Sequence, residues 1–382
     1  MLDSTWMLQL AGTMLALLLL GKGRRWQEMQ VSSASSKFRK SSFNKPQPAM
    51  PTVSIIIPAR NEESNLRTLL PLLKQQQANR VEILVVDDSS TDGTAQTAAA
   101  MGARVVQAPP LPSGWQGKSW ACWTGAAQAT GSWFIFLDAD TRPSPDFVAY
   151  VGRLLRQRGG WLTIQPYHEA PSFREQWSAF FNAALAAGSG ALSVLPGRRT
   201  AFGPCAVCWR SDYEAVGGHH AVHREVLEHL ELGKRFRQQG MKVSGTILPG
   251  VLRFRMYPHG WQELISGWTK SIAIGAGASS SVYLTLTVAW MTALLGCAVQ
   301  LGGIPGLWVA GEIAQAAGAL GVYLTACASV ALALRNVGTF RWYTALVYPG
   351  FLVFFIGIFA YAAVCSFVIR RVSWKGRTLD VR

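Results

Sequence analysis

The chain has 382 residues, of which 49% are hydrophobic, and its mean hydropathy is +0.18. These values are high for a soluble protein, and the length suffices for two or three domains or for one domain with a membrane part. Lys and Arg outnumber Asp and Glu by 36 to 21, a net charge of +15. That charge suits nucleic acid or anionic lipid. Because many of the basic residues flank apolar segments, we expect a membrane and no nucleic acid.

The cysteines also restrict the compartment and the kind of site that the chain can have. Six are scattered along the chain without a disulfide framework, so a reducing compartment is expected. Only Cys205 and Cys208 form a C-x-x-C pair. With no second pair, the spacing favours two small residues in a strand over a zinc site.

The first apolar segment runs from Trp6 to Gly21. Its length, about 16 residues, is at the short end for a membrane span. No basic residue precedes it, no A-x-A-like cleavage site follows it, and the basic stretch GKGRRW comes next. These features favour an uncleaved anchor with a cytoplasmic basic flank over a signal peptide. We expect an anchor over residues 1–21 and a basic linker over 22–50 that lies along the anionic surface.

Residues 51–256 alternate strand and helix signals. The β-rich runs are TVSIII, which Pro58 should stop, VEILVV and WFIFL. Between them, NEESNLRTLLPLLKQQ has helical periodicity, and STDGTAQTAAAMG is predicted to be a helix with a Ser or Thr cap and a closing glycine. Strands that alternate with helices of this length predict an α/β fold, with a mostly parallel sheet and helices on both faces.

Polar clusters follow three of these strands, at Pro58–Glu62, Asp87–Asp88 and Asp138–Asp140. In parallel sheets ligands bind at the carboxyl ends of the strands. Asp138 and Asp140 are separated by one residue, and two carboxylates so close repel each other, more strongly if buried. A cation is therefore expected between them, and Mg²⁺ or Mn²⁺ prefers such hard oxygen ligands. The alternative is that the two aspartates cap a helix that begins near PSPDF.

An amphipathic segment covers residues 257–280. Its apolar residues at helical spacing are Trp261, Leu264, Ile265, Trp268 and Ile272. A stripe of this kind, flanked by Trp and followed by apolar spans, predicts a helix in the membrane interface. An ordinary core helix is the alternative. The stretch FREQWSAFFNAALAAG has a similar character.

Three apolar stretches follow within residues 281–370: Val282–Leu301, Leu307–Leu334 and Leu346–Ile369. Each is long enough to cross a bilayer. The uncharged GGIPG is predicted to be the loop between the first two, and the basic RNVGTFRW a cytoplasmic turn. Three spans that start from a cytoplasmic domain would place the basic tail, residues 371–382, on the outer side of the membrane. This conflicts with the rule that basic segments stay in the cytoplasm. A re-entrant segment or an exception to that rule stays open.

The motifs of the soluble block resemble a known family. IIIPARNEE, VVDDSSTDGT, FLDADT and LEHLELGKRFRQQG, in this order, resemble the family 2 glycosyltransferases, whose nucleotide-binding fold is called GT-A. LPSGWQGKSWACWTG, IQPYH, AFGPCAV and GGHH are similar to the 4,4'-diaponeurosporenoate glycosyltransferases, which glucosylate a carotenoid carboxylic acid. That narrower similarity extends to about residue 280, by the order of the motifs. Hopanoid-associated family 2 enzymes are a looser match.

The resemblance implies a donor site for a UDP-sugar and one divalent metal, Mg²⁺ or Mn²⁺. Asp140 is then the direct metal ligand, and Asp138 lies beside it against the ribose. Lys118 faces the diphosphate, although an isolated lysine is more often a solvated charge. The other nucleotide-binding residues implied are Pro58, Ala59, Arg60, Glu62, Asp87 and Asp88.

The acceptor side departs from the family pattern. Similar enzymes carry Glu-Asp at a helix start, with the Asp as general base, whereas this chain has Glu228 and His229. The base is then Glu228, or His229, whose ordinary pKa suits neutral pH, or no strong base is needed. A metal site in the cluster of His219, His220, His223 and His229 has no supporting spacing. The acceptor residues implied are Gln165, Tyr167, His168, Trp268 and Lys270.

These observations predict an inverting, metal-dependent, multi-pass enzyme of the cell membrane with a cytoplasmic catalytic domain. It would transfer a hexose, with glucose favoured, from UDP to a membrane-embedded lipid acceptor. A carotenoid carboxylic acid or hydroxycarotenoid is the preferred acceptor, and a hopanoid, polyprenyl phosphate or glycerolipid is the alternative. Other classes are a polysaccharide synthase-translocator, for which the spans carry few polar residues, and an inactive nucleotide-sugar-binding scaffold.

Overall fold

The computed structural model describes residues 4–22, 52–76, 80–195, 200–258, 260–275, 281–369, 371–374 and 377–380. The chain forms two compact units. The sheet unit comprises Trp26–Tyr167 and Arg199–Arg255, and the helical unit comprises Met1–Arg25, His168–Arg198 and Met256–Arg382. The predicted catalytic domain over 51–256 is therefore interrupted by His168–Arg198. Most of the predicted linker over 22–50 lies outside the described residues.

A mixed sheet is the centre of the sheet unit. In chain order the strands are β1 (Val53–Ala59), β2 (Val81–Asp87), β3 (Arg104–Gln107), β4 (Trp133–Leu137), β5 (Thr141–Pro143), β6 (Trp161–Gln165), β7 (Tyr167–His168), β8 (Cys205–Trp209), β9 (Val243–Ile247) and β10 (Leu252–Phe254). Seven of these described strands form one sheet in the order β3-β2-β1-β4-β8-β6-β9. The pairs β1–β2, β1–β4, β2–β3 and β6–β9 are parallel, and β8 is antiparallel to both neighbours. The predicted mostly parallel sheet is confirmed.

Helices connect the strands and make up most of the helical unit. In chain order they are α1 (Ser4–Leu20), α2 (Glu63–Lys74), α3 (Thr94–Ala100), α4 (Gly117–Gln128), α5 (Phe147–Arg158), α6 (Phe173–Gln176), α7 (Ala179–Ser189), α8 (Arg210–Ala215), α9 (Glu228–Gln238), α10 (Trp261–Gly275), α11 (Ser281–Val309), α12 (Ile313–Val337), α13 (Trp342–Leu346) and α14 (Tyr348–Val364). A 3₁₀ turn covers Gly218–Val222, and a π-helical turn covers Cys365–Ile369. The strands β11 (Arg371–Trp374) and β12 (Arg377–Asp380) pair antiparallel near the C-terminus.

Both faces of the sheet are covered, as the sequence predicts. Along β1, Ile55 and Ile57 belong to one buried apolar cluster and Ile56 to another. Because side chains alternate between the faces of a strand, the two clusters lie on opposite sides of the sheet. The cysteines of the C-x-x-C pair, Cys205 and Cys208, are buried in β8, which confirms the strand interpretation.

Pro58 does not stop the first strand. β1 continues through it to Ala59, and its pairing with β2 extends to the last residue. The pairing with β4 ends earlier, at Ile56. The missing N–H of Pro58 therefore costs no ladder hydrogen bond on that side, which is the position where a strand tolerates proline.

The helix in STDGTAQTAAAMG starts differently from the prediction. Gly93 is the N-cap of α3 and makes no side-chain cap bond, so the predicted Ser or Thr cap is wrong. Instead Thr94 donates its backbone N–H to the Asp92 carboxylate at 3.1 Å. The closing glycine is confirmed: Gly102 has a φ of +73°, a left-handed conformation that favours glycine.

Two described helices are long and apolar enough to cross a membrane, Ser281–Val309 and Ile313–Val337. The apolar helices Thr5–Leu20 and Tyr348–Val364 are shorter, so four spans remain a prediction. GGIPG is not a loop, because α11 runs through Pro305 to Val309. The unbroken apolar character of this stretch outweighs its two helix-weakening residue types, and the connection is Ala310–Glu312 instead.

The predicted amphipathic helix is confirmed as α10, but its apolar stripe faces the protein in part. Leu264 is 0% exposed and Trp268 3%, whereas Trp261 is 44% exposed. The Trp268 indole stacks on Phe181 at 4.7 Å and donates its N–H to the Ser178 hydroxyl at 3.0 Å. The prediction that the whole stripe faces lipid is therefore wrong at Leu264 and Trp268, which pack in the protein core as the alternative predicted.

Candidate active site

The carboxyl end of β4 presents the two aspartates of FLDADT. Asp138 and Asp140 are half-buried, and Ala139 between them is buried. The turn is fixed by its backbone: the Asp138 N–H donates to the Pro204 carbonyl at 2.9 Å, and the Asp138 carbonyl accepts from the Thr141 hydroxyl at 2.7 Å. The next helix, α5, has Asp146 as its N-cap. Asp138 and Asp140 are therefore not helix caps, and the capping alternative is wrong.

Lys118 binds two carboxylates at this edge. Its ammonium lies 2.7 Å from Asp138 Oδ1 and 3.0 Å from Glu228 Oε1, and it also donates to the Gly203 carbonyl at 3.4 Å. Lys118 is the second residue of α4, and Glu228 is the first residue of α9. The starts of two helices are thus connected to the end of β4 through one cation. The interpretation of Lys118 as a solvated surface charge is wrong.

Burial and pairing act in opposite directions on the ionisation of this group. Burial raises the pKa of the Asp138 carboxyl above its ordinary value, the Lys118 ammonium lowers it, and nearby Glu228 raises it, with a net increase. For Lys118, burial lowers the pKa of the ammonium, but the charges of Asp138 and Glu228 outweigh burial and raise it. The ammonium therefore stays charged at neutral pH, and it is the charge that makes two neighbouring carboxylates tolerable.

The loops after β1 and β2 form the second part of this edge. Asp87 and Asp88 are 5% and 7% exposed. Burial raises the pKa of Asp88, the Arg60 guanidinium at 4.0 Å lowers it, and Asp87 raises it, so the net direction is upward. The Asp88 backbone N–H donates to the Ala59 carbonyl at 2.9 Å, which joins the two loops. Pro58 is half-buried at the end of β1.

A turn that the sequence does not single out holds the first loop. Asn61 adopts a φ of +55°, and its side-chain oxygen accepts from the Thr91 N–H at 2.8 Å. The Glu62 N–H donates to the Thr94 hydroxyl at 2.9 Å, and the Glu62 carboxylate accepts from the Asn65 amide at 2.6 Å. Asn is one of the few residues that tolerates this backbone conformation, so NEE after a strand is the sequence signal for this turn.

The helix start at Glu228 brings its two candidate bases into different surroundings. Glu228 is 3% exposed and pairs with Lys118. His229 is 1% exposed, and its ring lies 5.8 Å from Phe136 and 5.7 Å from Trp161 in the apolar core. Burial and the charge of Lys118 lower the pKa of His229 well below its ordinary value, against a smaller opposite effect from its hydrogen bond to Gly203. In this arrangement Glu228, and not His229, shares the Lys118 ammonium with Asp138.

The predicted acceptor residues are divided between the two units. Gln165, at the end of β6, and Tyr167 are buried in the sheet unit. His168 is buried in the helical unit, stacked on Phe340 at 5.7 Å, and burial lowers its pKa to about 4. In the same unit Trp268 is buried and Lys270 is half-buried. No described contact joins all five, so a shared acceptor pocket stays a prediction.

The helical unit has an apolar groove that the sequence does not reveal. Its volume is about 380 Å³, and it is lined by residues of α6, α11, α12 and α14 and the turns beside them. The lining includes Trp177, Leu301, Tyr323 and Phe351. The size and composition of this groove suit an apolar chain better than a polar ligand.

Comparison with known proteins agrees with this geometry. The family profile described as "Glycosyl transferase family 2" matches residues 54–217. The 4,4'-diaponeurosporenoate glycosyltransferase of Staphylococcus aureus (strain USA300) is 34% identical over 340 residues, which cover 86% of this chain and 88% of the relative. The protein of the same name from Staphylococcus haemolyticus (strain JCSC1435) is 38% identical over 261 residues, 66% of this chain and 68% of the relative.

A solved structure supports the fold. The mannosyltransferase PcManGT from Pyrobaculum calidifontis, in complex with GDP-Man and Mn²⁺, aligns over 95% of this chain and 99% of its own, with a TM-score of 0.51 and 18% sequence identity. The likeness extends over nearly the whole chain and supports the GT-A-like fold.

Lys118→Gln should destabilise the metal-free protein in a pH-dependent way. Without the ammonium, burial and Glu228 raise the pKa of Asp138 further above its unfolded value. A carboxyl group whose pKa is higher in the folded than in the unfolded protein stabilises the fold fully at pH values below its unfolded pKa. That contribution is lost as the pH rises through its folded pKa. We therefore expect a loss of about 3 kcal/mol in the free energy of unfolding at neutral pH, and a smaller loss at mildly acidic pH.

Thermal unfolding in detergent with a chelator measures both losses. Lys234→Gln is the matched control, because Lys234 is 51% exposed and pairs only with Glu231 on its own helix among the contacts described, at 2.6 Å. The control should change stability by less than about 1 kcal/mol. A loss for Lys118→Gln that is equal at both pH values would contradict the electrostatic role.

Proposed function

Since the chain belongs to glycosyltransferase family 2, we propose that it transfers glucose from UDP to a lipid-soluble carboxylate acceptor, with inversion at the sugar. The observation that carries the proposal is the Lys118 ammonium between Asp138 and Glu228 at the carboxyl edge of the sheet. This edge combines carboxylates for a metal, a cation for a diphosphate and a buried acid at the start of a helix.

The donor nucleotide is assigned to the loops after β1 and β2. Asp87 and Asp88 offer carboxylate oxygens that accept hydrogen bonds from the uracil N–H and the ribose hydroxyls. Arg60, paired with Asp88, keeps that carboxylate oriented and its charge balanced. The residues that we assign to this side are Pro58, Ala59, Arg60, Glu62, Asp87 and Asp88.

The residues at the end of β4 fit a divalent cation. Asp138 and Asp140 are half-buried and offer hard oxygen donors on a turn with a fixed backbone. Mg²⁺ and Mn²⁺ prefer such donors. Asp140 would hold the ion directly, with Asp138 beside it. When bound, the cation supplies Lewis-acid stabilisation of the negative charge on the leaving diphosphate.

Lys118 has two roles in this account. Before donor binding it pairs with both Asp138 and Glu228 and offsets part of their charge; with UDP-glucose bound its ammonium turns to the phosphates. Its place at the start of α4 also directs free backbone N–H groups towards the same anion. The charge that builds on UDP as the sugar leaves is thus met by donors that are already positioned, which lowers the barrier without a reorganisation cost.

The acceptor chemistry follows from the surroundings of Glu228 and His229. The position after Glu228 offers no base to the donor edge, because the His229 ring lies in the core. A carboxylic acid, with an ordinary pKa near 4, needs none at neutral pH. Its carboxylate oxygen attacks the anomeric carbon, the bond from that carbon to the diphosphate breaks, and a glycosyl ester and UDP form. The acceptor named for the S. aureus relative, a diaponeurosporenoate, is a carboxylate.

The membrane part of the proposal uses the apolar helices. Ser281–Val309 and Ile313–Val337 cross the cell membrane, with Thr5–Leu20 and Tyr348–Val364 as further apolar segments of a multi-pass protein. The basic residues of RNVGTFRW favour the cytoplasmic side for the turn after α12, and a cytoplasmic catalytic domain is part of the proposal. The apolar groove of the helical unit receives the acceptor's hydrocarbon chain.

Asp140→Asn should abolish glucose transfer while the protein still folds. Loss of the metal ligand removes several kcal/mol of transition-state stabilisation, roughly a thousandfold in rate. Release of UDP from UDP-glucose in vesicles that contain the acceptor measures the effect. Asp146→Asn, at the exposed N-cap of α5, is the matched control and should retain full activity. Wild-type activity that survives exhaustive chelation would refute the metal assignment.

The product with a carotenoid carboxylic acid should be a glycosyl ester that mild alkali cleaves, because esters hydrolyse in alkali and glycosidic ethers do not. Glu228→Gln should then lower turnover by less than the factor of about 10²–10⁴ typical of a lost general base. Chromatography of the product before and after alkali, and turnover of the variant, measure this. The exposed Glu225→Gln is the control. An alkali-stable product together with an inactive Glu228→Gln would make the acceptor an alcohol and Glu228 the base.

A further inference from the structure

Behind the donor edge, three side chains with metal-binding atoms meet in the core of the sheet unit. They are Cys122 of α4, His219 of the 3₁₀ turn and His229 of α9, and one donor atom of each lies within 4.8 Å of the other two. Cys122 and His219 are 0% exposed and His229 is 1% exposed. The fold thus assembles a cluster that no spacing in the sequence indicates, because its members come from three separate elements.

Both imidazoles are oriented towards the cluster by hydrogen bonds on their other nitrogen. His229 Nδ1 lies 2.5 Å from the Gly203 carbonyl oxygen, and His219 Nδ1 lies 2.9 Å from the Tyr213 hydroxyl. A carbonyl can only accept, so His229 Nδ1 carries the proton and Nε2 has a lone pair. The Tyr213 oxygen accepts the His219 backbone N–H at 3.0 Å, and its second lone pair accepts from Nδ1 in the tautomer that leaves a lone pair on His219 Nε2. A hydrogen bond from the remote ring nitrogen to an oxygen is the usual support of a metal-binding histidine.

The inner nitrogens point to a ligand. Neither His219 Nε2 nor His229 Nε2 has a hydrogen-bond partner among the residues that the structure describes. Leaving two such atoms buried and unpaired is unfavourable. The surrounding rings are Phe136, at 4.7 Å from His219, and Trp161, at 5.7 Å from His229, whose indole N–H already donates to the His229 carbonyl at 3.0 Å.

We propose that Cys122, His219 and His229 form a structural site for a zinc-class transition-metal ion, distinct from the Mg²⁺ or Mn²⁺ site at Asp138 and Asp140. One thiolate and two imidazoles supply three of the four ligands of a tetrahedral Zn²⁺ ion, with a water molecule as the fourth, and they do not suit Mg²⁺ or Mn²⁺. Binding releases the Cys122 thiol proton to solvent, so the ion, the thiolate and two neutral rings carry one net positive charge. Lys118 adds little to that charge, because Asp138 and Glu228 neutralise it.

The location gives the ion a function. Cys122 follows Lys118 by one turn of α4, and His229 directly follows Glu228 in α9. An ion held by both helices fixes the distance between the Lys118 ammonium and the Glu228 carboxylate. The site therefore positions donor-edge residues without contact with substrate.

Metal analysis and cobalt spectroscopy of the full chain in detergent test this proposal. After a weak chelator removes Mg²⁺ and Mn²⁺, mass spectrometry should find stoichiometric zinc. Co²⁺ in its place should show a thiolate-to-cobalt charge-transfer band. Cys122→Ala should lose both signals, and Cys208→Ala, the same change at a buried cysteine of β8, should keep them. Tyr213→Phe should weaken the affinity for zinc by about 10- to 100-fold.

Several results would overturn the proposal. Wild-type protein that retains no zinc and gives no charge-transfer band with Co²⁺ would mean that the cluster holds a water molecule or nothing. Zinc and the cobalt band retained in Cys122→Ala would place the ion elsewhere. The wild-type cobalt spectrum shows whether a thiolate binds the ion, even if the Cys122 variant fails to fold. Because Asp140→Asn should keep the zinc while it loses transfer, failure of this site and failure of the proposed function are separate outcomes.

Discussion

The ion triad of Lys118 with Asp138 and Glu228 is the constraint on which the site depends. A parallel-rich sheet brings the ends of β1, β2 and β4 to one edge, and a nucleotide-sugar site requires acids there. Acids placed together in a half-buried cleft repel each other, so the free energy of this repulsion must be offset before any ligand binds. The 2.7 Å and 3.0 Å contacts of Lys118 offset it. The same contacts connect α4 and α9 to the sheet, so the ion pairs that reduce the repulsion also hold these elements together.

On the proposed function, the same arrangement would convert the resting site into a loaded one. A metal and a diphosphate would together replace the charges that Lys118 balances. The His229 ring is buried against Phe136 and Trp161, and its Nδ1, which lies 3.8 Å from the Glu228 carboxylate, donates to the Gly203 carbonyl. The departure from the family's Glu-Asp pattern is therefore consistent with an acceptor that arrives already ionised.

Much of this could be predicted from the sequence, for identifiable reasons. The β-rich runs ended by Asp87 and by Leu137 give the correct strands, because burial on both faces demands apolar runs. The start of α9 at Glu228 is also correct. The pairing of Lys118 with Glu228 joins residues far apart in the chain and has no local signal. The amphipathic pattern around Trp268 is the same for a core helix as for an interfacial one, so only packing against Phe181 distinguishes them.

The affinities of UDP and uridine for Lys118→Gln, with Mg²⁺ at fixed ionic strength, test the central claim most directly. Titration calorimetry for UDP and competition for uridine would be compared with the wild type and with Lys234→Gln. If the ammonium serves the diphosphate, UDP affinity falls by about 10- to 100-fold, the value of a charged hydrogen bond, while uridine binds as well as before. Equal weakening of both ligands, or unchanged affinity for UDP, would contradict the assignment of Lys118 to the diphosphate.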